Sequence, residues 1–529
     1  MHNFEWDKVL FLEKGKKGLH RVIFGRTLLI VLSFLVQFGL FFLLFSLLSQ
    51  YMAVTLWLYI LFIVIIELLI VNKQSNPAMK ISWILVTMVV PIVGGMLFLY
   101  VDLNVGSRLI NHRLSEMYNM TRRYVKKNPE TLKELKEADP GMAHLAQYLA
   151  DYGNNQVYQN TCVTYFPSGE DKFEELLIQL EKAEKFIFLE YFIICEGYMW
   201  GRVLKILEEK VRDGVEVRVM YDGFNTLTYL PAHYPRELEK LGIRCKVFSP
   251  IRPVFSTTYN NRDHRKVLVI DGHTGFTGGI NLADEYINQK ERFGHWKDTA
   301  VMLQGEAVQG LTQMFLQMWN ISEKSPVLEQ YLDPKLNRYY MGTLKLSEGF
   351  VLPYGDSPFD DEQVGKRVYL EMINRADRYV HIMTPYLILD YELTEALTYA
   401  AKRGVDVKII LPHIPDKITA FALAKTHYHE LLRAGVHIYE YTPGFVHAKV
   451  VVSDDDRAVV GTVNLDYRSL YLHFEDAVLL YRVPENARIE EDVLDTLEKC
   501  HQVTLEDIRH EKLSMRILGI LLKVLAPLM

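Results

Sequence analysis

The amino-acid sequence predicts an α/β protein in which N-terminal transmembrane helices precede two similar α/β halves. Three observations support this prediction: long apolar stretches in the first hundred residues, a repeated α/β pattern after residue 140, and one motif that occurs twice. At 529 residues the chain is too long for one compact core and suits two or three domains.

The apolar stretches lie at residues 27–49, 53–71 and 81–101, and Glu67 is the one charged residue within them. Each approaches the roughly 20 residues that cross the hydrocarbon of a bilayer. Buried core helices are the alternative, but three such stretches in succession favour a membrane region, which we assign to residues 1–110. A cleaved signal peptide is not expected, because the first stretch is too long and no small-residue cleavage site follows it.

Basic residues on both sides of the apolar region indicate its topology. They precede the first stretch and follow the third, so the positive-inside rule places both flanks in the cytoplasm. This requires an even number of crossings, and the third stretch, with Pro91, Gly94 and Gly95, is therefore predicted to enter the bilayer and return. We expect a multi-pass protein of a bacterial-type cell membrane with a cytoplasmic catalytic region.

Charge and cysteine content exclude several classes of protein. The net charge of -6 argues against a nucleic-acid partner, which usually selects a basic excess. The four cysteines lie far apart, in neither a metal-ligand nor a disulfide pattern, and a reducing compartment is the simpler interpretation. We expect no metal and no cofactor.

Two halves of similar sequence are expected at residues 141–340 and 341–505. Three pairs of segments define the repeat, at 183–192 and 376–386, 212–222 and 402–412, and 241–248 and 434–441. Each combines β-branched and aromatic residues and is entered from a helix through a turn, which is typical of a strand. Strands that alternate with helical stretches predict parallel strands in an α/β layer structure.

Two further segments complete the predicted organisation. Residues 111–140 are predicted to form a basic linker, which fixes the topology or attracts anionic headgroups. Residues 506–529 end in an apolar stretch that is too short and too charged to span a membrane. It suits an amphipathic helix in the membrane interface, with a helix packed on the catalytic core as the alternative.

One motif occurs in both halves with identical spacing. It runs from His264 to Asn281 and from His447 to Asn464, and reads His, any residue, Lys, four residues, Asp, six residues, Gly, two residues, Asn. The segments at 297–303 and 475–481 that follow also agree. A single His-x-Lys would be weak evidence, whereas five matched positions found twice are strong evidence.

The spacing within the motif predicts a β-hairpin. His and Lys two residues apart share one face of a strand, and the aspartates at 271 and 454 lie in turn-forming sequences. The return strand then brings the motif Asn beside the motif His. Because each Asp lies near the turn, we expect it to shape the site or hold a partner rather than perform chemistry.

These residues resemble the paired HKD motifs of the phospholipase D superfamily. The resemblance implies a single active site built from both halves across a pseudo-twofold axis, with a covalent phosphohistidine on one His and acid/base catalysis by the other. It implies His264 as the nucleophile and His447 as the acid/base. The implied catalytic motif residues are His264, Lys266, Asp271, His447, Lys449 and Asp454. The implied phosphate-binding residues are Gly279, Asn281, Thr462 and Asn464.

The chemistry is sound without the resemblance. A phosphodiester repels nucleophiles, and two lysines neutralise its charge and stabilise the transition state. An unprotonated imidazole is a competent nucleophile near neutral pH, and a protonated one supplies the acid that the leaving alkoxide needs. Such a site requires no metal.

Within the superfamily, the segments at 76–108 and 166–193 and the chain end from Arg516 resemble the cardiolipin synthases. The resemblance implies transfer of a phosphatidyl group between two phosphatidylglycerol molecules, which releases glycerol, with anionic membrane lipids as partners. Many members have only two N-terminal apolar segments, and the additional stretch at 27–49 departs from that pattern. A membrane phospholipase D, a transphosphatidylase with another lipid alcohol, a membrane-tethered nuclease and an inactive scaffold are the alternatives. The oligomeric state stays open.

Overall fold

The computed structural model describes residues 35–39, 42–43, 46, 51–103, 105–125, 128–153, 155–250, 260–332, 346–360 and 362–528. The chain divides into a smaller unit, residues 1–104 with Leu528, and a larger unit, residues 105–527 with Met529. Most of the predicted apolar stretch at 27–49 lies outside the described residues, as does the basic flank before it.

The smaller unit contains helices α1 (Met52–Asn72), α2 (Pro77–Val89) and α3 (Pro91–Leu103). The second predicted apolar stretch is α1, and its residues Ala53–Asn72 form the one helix among the described residues that is long and apolar enough to cross a membrane. Most of its large side chains are exposed, as expected of a helix that faces lipid rather than a protein core.

The third predicted stretch forms a helical hairpin. Helices α2 and α3 meet at Pro91, and a Cβ at Gly94 would lie only 3.0 Å from the carbonyl oxygen of Val86 and 3.2 Å from Cα of Thr87. The rings of Trp83 and Phe98, equally far from the break, lie 5.5 Å apart. At 13 residues each, the helices are about 20 Å long, too short to span a bilayer singly. The chain thus reverses at a proline, and a small residue lets α3 lie close to α2.

The predicted basic linker at 111–140 is helical instead, which corrects that prediction. Helices α4 (Val105–Thr121), α5 (Pro129–Ala138) and α6 (Pro140–Asp151) belong to the larger unit. Leu114 and Leu135 are buried, and the Thr121 hydroxyl accepts hydrogen bonds from Gln313 and Gln317 at 3.3 and 2.9 Å. The many charges of this segment lie on the solvent face of amphipathic helices.

The first half alternates helices and strands. Its elements are β1 (Thr161–Phe166), α7 (Gly169–Glu181), β2 (Phe186–Tyr191), α8 (Tyr198–Arg212), β3 (Glu216–Asp222), α9 (Asn225–Thr228), α10 (Tyr234–Lys240), β4 (Arg244–Phe248), β5 (Arg262–Asp263), β6 (Lys266–Ile270), β7 (Thr274–Gly278), β8 (His295–Lys297), β9 (Ala300–Gly305), α11 (Val308–Asn320) and α12 (Glu329–Leu332).

The second half repeats this order. Its elements are β10 (Phe350–Asp356), α13 (Val364–Asn374), β11 (Tyr379–Met383), α14 (Tyr391–Lys402), β12 (Asp406–Pro412), α15 (Ile418–Ala434), β13 (His437–Tyr441), β14 (Gly444–Val446), β15 (Val450–Ser453), β16 (Arg457–Gly461), α16 (Tyr467–Tyr471), β17 (His473–Tyr481), α17 (Glu485–Leu497) and β18 (Cys500–Gln502). Helices α18 (Leu505–His510) and α19 (Leu513–Leu525) follow.

The two sheets confirm the internal repeat. The first has the order β1-β9-β7-β6-β2-β3-β4, and the second has the equivalent order β10-β17-β16-β15-β11-β12-β13, extended by β18. Along these two strand orders, β2-β3-β4 and β11-β12-β13 run parallel, whereas the motif strands and their neighbours pair antiparallel. The prediction of parallel strands is therefore right for the helix-connected segments alone, because a tight hairpin can join only antiparallel strands.

The two halves share one hydrophobic core. A single cluster of buried side chains contains Phe188 and Val269 of the first half together with Val452 and Val478 of the second. The halves are therefore repeats within one compact unit, and the sheets that carry the two motifs are held against each other by apolar packing.

The C-terminal segment packs on the catalytic unit, as one of the two predicted alternatives expects. Helix α19 packs on α15, and a side chain at Gly519 would lie 2.5 Å from the carbonyl of Ala422. The opposite face exposes large apolar side chains, among them Leu513, Ile520 and Leu521 at 65–70%. The helix is therefore fixed to the catalytic unit by one side and leaves an apolar surface on the other.

Candidate active site

Each motif folds as the β-hairpin that its spacing predicts. Strands β6 and β7 are joined through Asp271 and Gly272, with φ angles of 52° and 72°. Strands β15 and β16 are joined through Asp454 and Asp455, with φ angles of 55° and 66°. Left-handed backbone suits Gly and Asp in tight hairpin turns, which explains these residue types at these positions.

His264 is paired with a buried carboxylate. Its Nδ1 lies 2.9 and 3.0 Å from the two carboxylate oxygens of Glu475, and the Thr462 hydroxyl donates to the same carboxylate at 2.5 Å. Because the Nδ1–H group donates to Glu475, the lone pair of the ring is on Nε2. The Phe192 ring packs edge-on against the imidazole, with centroids 5.0 Å apart.

His447 has the equivalent arrangement. Its Nδ1 lies 2.7 Å from a carboxylate oxygen of Asp298, and Nζ of Lys449 is 2.9 Å from the same nitrogen. The rings of Trp296 and Tyr286 each lie 5.4 Å from the imidazole. The imidazole is therefore held by a carboxylate, a cation and two aromatic faces.

The carboxylates are exchanged between the halves. Glu475 of the second half holds His264 of the first, and Asp298 of the first half holds His447 of the second. Backbone pairing enforces the exchange, because β5 pairs with β17 and β8 pairs with β14 in parallel. The His264 N–H donates to the carbonyl of Phe474 at 2.9 Å, so the halves are joined at the motif itself. The site is complete only when both halves are in contact.

The two motif lysines are buried next to the histidines. Lys266 and Lys449 are each 1% exposed. Lys266 donates to the carbonyl of His264 at 2.5 Å, and Lys449 donates to the carbonyl of His447. Burial lowers the pKa of Lys266 to about 8 and that of Lys449 to about 7. Two cations of limited hydration are therefore held ready for an anionic group.

Burial also keeps both imidazoles unprotonated. It lowers the pKa of His264 to about 3 and that of His447 to about 4, against the opposing effect of their carboxylate partners. Lys266 of the first half contributes to the low pKa of His447 of the second, which shows that the two motifs share one electrostatic environment. Without a bound anion, neither imidazole is ready to act as an acid near neutral pH.

The carboxylate partners are ionised. Although burial acts to raise it, the charge and hydrogen bond of His264 hold the pKa of Glu475 well below its usual range. His447 and Lys449 have the same effect on the pKa of Asp298. Each histidine therefore faces a permanent negative charge that stabilises any cationic state of the ring.

The motif aspartates lie away from the histidines, which corrects their place in the expected catalytic set. Asp271 accepts hydrogen bonds at 2.7 Å from the backbone N–H groups of residues 184, 185 and 186, at the start of β2. Asp454 accepts equivalent bonds from residues 377, 378 and 379. The full length of β6 or β15 separates each Asp from its His. Their role is to fix the sheet, as their position near the turn indicated.

Gly279 and Thr462 lie against the carboxylates of Asp298 and Glu475. A side chain at Gly279 would lie 1.9 Å from Oδ1 of Asp298, so only glycine lets that carboxylate reach His447. Thr462 donates to Glu475 and accepts from the backbone N–H of Asp476 at 2.9 Å. The Thr462 hydroxyl is therefore already used by protein groups, and a phosphate-binding role of the two residues stays a prediction.

The two motif asparagines differ from each other. Asn281 accepts from the backbone N–H of Ile193 at 2.9 Å and donates to the Tyr286 hydroxyl at 2.8 Å. Asn464 is 4% exposed, and its Oδ1 has no hydrogen-bond partner among the described residues. Oδ1 of Asn464 is thus left as an unused acceptor, whereas Asn281 positions Tyr286 against His447.

Sequence reasoning missed the two carboxylates, Asp298 and Glu475. The signal was present in the matching segments at 297–303 and 475–481, but alignment on their Lys-Asp and Glu-Asp pairs is one residue out of register. The sheets place Ala300 opposite Gly278 and Ala477 opposite Gly461, which makes Asp298 equivalent to Glu475. Alignment on these alanines would have identified both.

One group of side chains near the site has metal-ligand character. His264, His473 and Glu475 bring ligand atoms to within 4.8 Å of one another. The sequence did not predict this group, because 209 positions separate the two histidines and no local spacing joins them.

Comparison with known proteins agrees with this geometry. A family model described as cardiolipin synthase, PLD-like domain, matches residues 176–319 and 369–496. An uncharacterized protein of Streptococcus mutans is 52% identical over 87% of this chain and 99% of its own length. A cardiolipin synthase of Geobacillus sp. strain WCH70 is 33% identical over 88% of this chain and 92% of its own.

The crystal structure of a phosphatidylserine synthase of Haemophilus influenzae is similar in fold. Its TM-score is 0.52 at 14% identity, over 73% of this chain and 98% of that one. The paired motifs, the exchanged carboxylates and the extended similarity in sequence lead to one assignment. The chain belongs to the cardiolipin synthase family of the phospholipase D superfamily and is a phosphatidyltransferase.

Proposed function

We propose that this protein transfers a phosphatidyl group from one phosphatidylglycerol to a hydroxyl of a second, giving cardiolipin and glycerol. The observation that carries the proposal is the pair of histidines, each held at Nδ1 by a carboxylate of the opposite half. Family membership supports the choice of lipid substrates. The alternative acceptor is water, which would make the same residues a phospholipase D.

In the first step the phosphodiester binds between the two motifs. The ammonium groups of Lys266 and Lys449 neutralise its charge, and the Nδ2 amide group of Asn464 donates a hydrogen bond to a phosphate oxygen. The bound anion raises the pKa of the neighbouring lysines and imidazoles, because it favours their charged forms. His447 is thereby protonated at Nε2 and becomes the general acid.

Nucleophilic attack then comes from Nε2 of His264. A bond forms between this nitrogen and phosphorus, the bond from phosphorus to the glycerol oxygen breaks, and His447 gives its proton to that oxygen. Assignment of the nucleophile to His264 is supported by its surroundings. Its Nδ1 contacts Glu475 alone, whereas Nδ1 of His447 also faces the cation of Lys449.

The second step reverses the roles of acid and base. His447, now unprotonated, accepts the proton of the hydroxyl of a second phosphatidylglycerol, and the resulting oxygen attacks phosphorus. The bond between phosphorus and His264 breaks, and cardiolipin leaves. Glu475 stabilises the phosphohistidine cation through Nδ1, and Asp298 stabilises the imidazolium of His447.

The test uses labelled phosphatidylglycerol in detergent micelles with metal-free buffer. Wild-type protein is expected to form cardiolipin and free glycerol, and His264→Ala is expected to form neither. His413→Ala is the matched control, because it removes a half-exposed imidazole that is paired with Glu440 outside the site. Phosphatidic acid with glycerol would replace the synthase by a hydrolase, and retained activity in His447→Ala would refute the two-histidine scheme.

We also propose that α1 and the apolar stretch at 27–49 cross a bacterial cell membrane, that the α2–α3 hairpin enters and returns, and that the catalytic unit is cytoplasmic. The exposed apolar surface of α1 and the hairpin reversal at Pro91 support this topology. Protease added to inverted membrane vesicles is expected to degrade the catalytic unit, and protease added to intact spheroplasts is not. The reverse result would refute the cytoplasmic assignment.

For α19 we propose a position in the lipid interface of the same membrane. Its exposed face carries Leu513, Ile517, Ile520 and Leu521, and the basic residue Lys523 lies in its last turn. Apolar side chains flanked by cations favour the boundary between acyl chains and anionic headgroups.

A further inference from the structure

The imidazole of His473 has no task in the proposed reaction. Its side chain is 10% exposed, and neither ring nitrogen makes a hydrogen bond to a described residue. The ring lies beside the nucleophile, with 5.6 Å between the ring centroids of His473 and His264. The equivalent position in the first half is Trp296, which cannot bind a metal. The second half therefore adds an unused ligand next to one catalytic pair only.

The geometry around Glu475 is close to that of a transition-metal site. One carboxylate oxygen lies 3.0 Å from Nδ1 of His264 and 3.6 Å from Nδ1 of His473. In a tetrahedral zinc site with bonds of about 2.0–2.2 Å, neighbouring ligand atoms lie roughly 3.3–3.5 Å apart. All three ligand atoms already lie within 4.8 Å of one another, so shifts of the order of 1 Å close the site.

The other oxygen of Glu475, which lies 2.9 Å from Nδ1 of His264, has a further partner. It accepts the hydrogen bond of the Thr462 hydroxyl at 2.5 Å, which orients the carboxylate while the first oxygen binds. Carboxylates and histidines that bind metals are usually held by such a second contact. Three ligands leave a fourth position for water, as in zinc sites that are not purely structural.

We propose that Zn²⁺, or a transition-metal ion of similar preference, binds His264, His473 and Glu475 and reversibly inhibits the enzyme. The proposal rests on the proposed function, in which Nε2 of His264 is the nucleophile. A neutral imidazole carries one proton, so a metal on Nδ1 moves that proton to Nε2 without net release. Nε2 then has no lone pair with which to attack phosphorus. The metal also occupies Glu475, which stabilises the phosphohistidine.

The three ligands also predict which metal ions bind. Imidazole nitrogen favours zinc and its neighbours in the transition series, whereas Mg²⁺ and Ca²⁺ prefer six or more oxygen ligands. Mg²⁺ at the same concentration should therefore leave the rate of transfer unchanged.

The experiment measures cardiolipin formation by wild-type protein in phosphate-free detergent buffer while Zn²⁺ is titrated. Inhibition that a chelator reverses is expected. In His473→Phe, which keeps an aromatic ring but no ligand, the zinc concentration that halves the rate should rise at least about 10-fold, the lower end of what loss of even a supporting residue costs a metal site. His501→Asn is the control, since it removes a half-exposed imidazole 3.2 Å from Asp507 and should leave zinc sensitivity unchanged.

Two results would overturn the inference: wild-type transfer that is insensitive to Zn²⁺, or equal sensitivity of wild type and His473→Phe. If His473→Phe is inactive, Zn²⁺ binding is measured directly by equilibrium dialysis of the wild type, His473→Phe and His473→Asn. Each variant is expected to bind one ion fewer than the wild type, and equal binding would contradict the inference. Absence of cardiolipin from metal-free wild-type protein would instead refute the proposed function, so the two failures are distinguishable.

Discussion

The exchange of carboxylates between the halves leads to a quantitative prediction for Glu475→Gln. The substitution keeps the shape of a fully buried side chain and lets an amide oxygen accept from Nδ1 of His264, but it removes the charge. A hydrogen bond to a charged group contributes about 1.5–3 kcal/mol. If that contribution is realised only when the ring becomes cationic, its loss lowers kcat roughly 10- to 150-fold. KM should change little, because Glu475 faces the ring and not the lipid.

The assay is initial-rate cardiolipin formation at saturating phosphatidylglycerol, with thermal unfolding measured in parallel. Glu490→Gln is the matched control, because Glu490 accepts from His381 at 2.8 Å in another, partly buried His–carboxylate pair outside the site. It should leave kcat within about twofold of wild type, the range of a surface-like perturbation. Wild-type kcat in Glu475→Gln, or an equal loss in Glu490→Gln, would refute the assignment.

Further predictions follow from the same geometry. Since kcat/KM reports the free enzyme, in which the pKa of His447 is about 4, it should fall as the pH rises from 5 to 7, because the general acid must take up a proton. The fall should steepen above pH 7–8 as Lys449 (pKa about 7) and then Lys266 (pKa about 8) lose their protons, and a level profile between pH 5 and 7 would contradict the scheme. Asp271→Ala leaves three backbone N–H groups without an acceptor and should lower the free energy of unfolding by about 2–4 kcal/mol in denaturant titration, with kcat of the folded protein nearly unchanged. A fluorophore on Ile520→Cys should be quenched by nitroxide-labelled lipid more strongly than one on His510→Cys, and equal quenching would exclude α19 from the interface.

The sequence predicts the internal repeat and most of the local turns. The motif spacing defines both hairpins, because a turn of Asp and Gly, or of successive aspartates, between two apolar strands has few other solutions. Pro91 and the glycines after it locate the reversal of the third apolar stretch. The repeat also predicts the equivalence of the two sheets before any strand pairing is known.

Long-range contacts are what the sequence does not show. Asp298 and Glu475 each serve a histidine in the other half, so no spacing within one motif indicates them. Beyond the two motif hairpins, the antiparallel pairings of each sheet were missed, because a helix-strand rhythm predicts direction only for the strands that helices connect. The helices of 111–140 were missed because their many charges obscured the few buried positions, such as Leu114 and Leu135.

The exchanged pairing also has a signature in stability that is independent of activity. His264→Ala removes the Nδ1–H donor from the carboxylate of Glu475, which is 0% exposed, and loss of a hydrogen bond to a buried charged group costs about 1.5–3 kcal/mol. Glu475→Gln in that background removes the unpaired charge, so the double variant should be more stable than His264→Ala alone. His447→Ala combined with Glu475→Gln should show no such recovery, because Asp298 is the partner of His447. Denaturant unfolding of the four variants at neutral pH measures both couplings. Recovery in the His447→Ala background, or none in the His264→Ala background, would show that the pairing across the halves is not the one described.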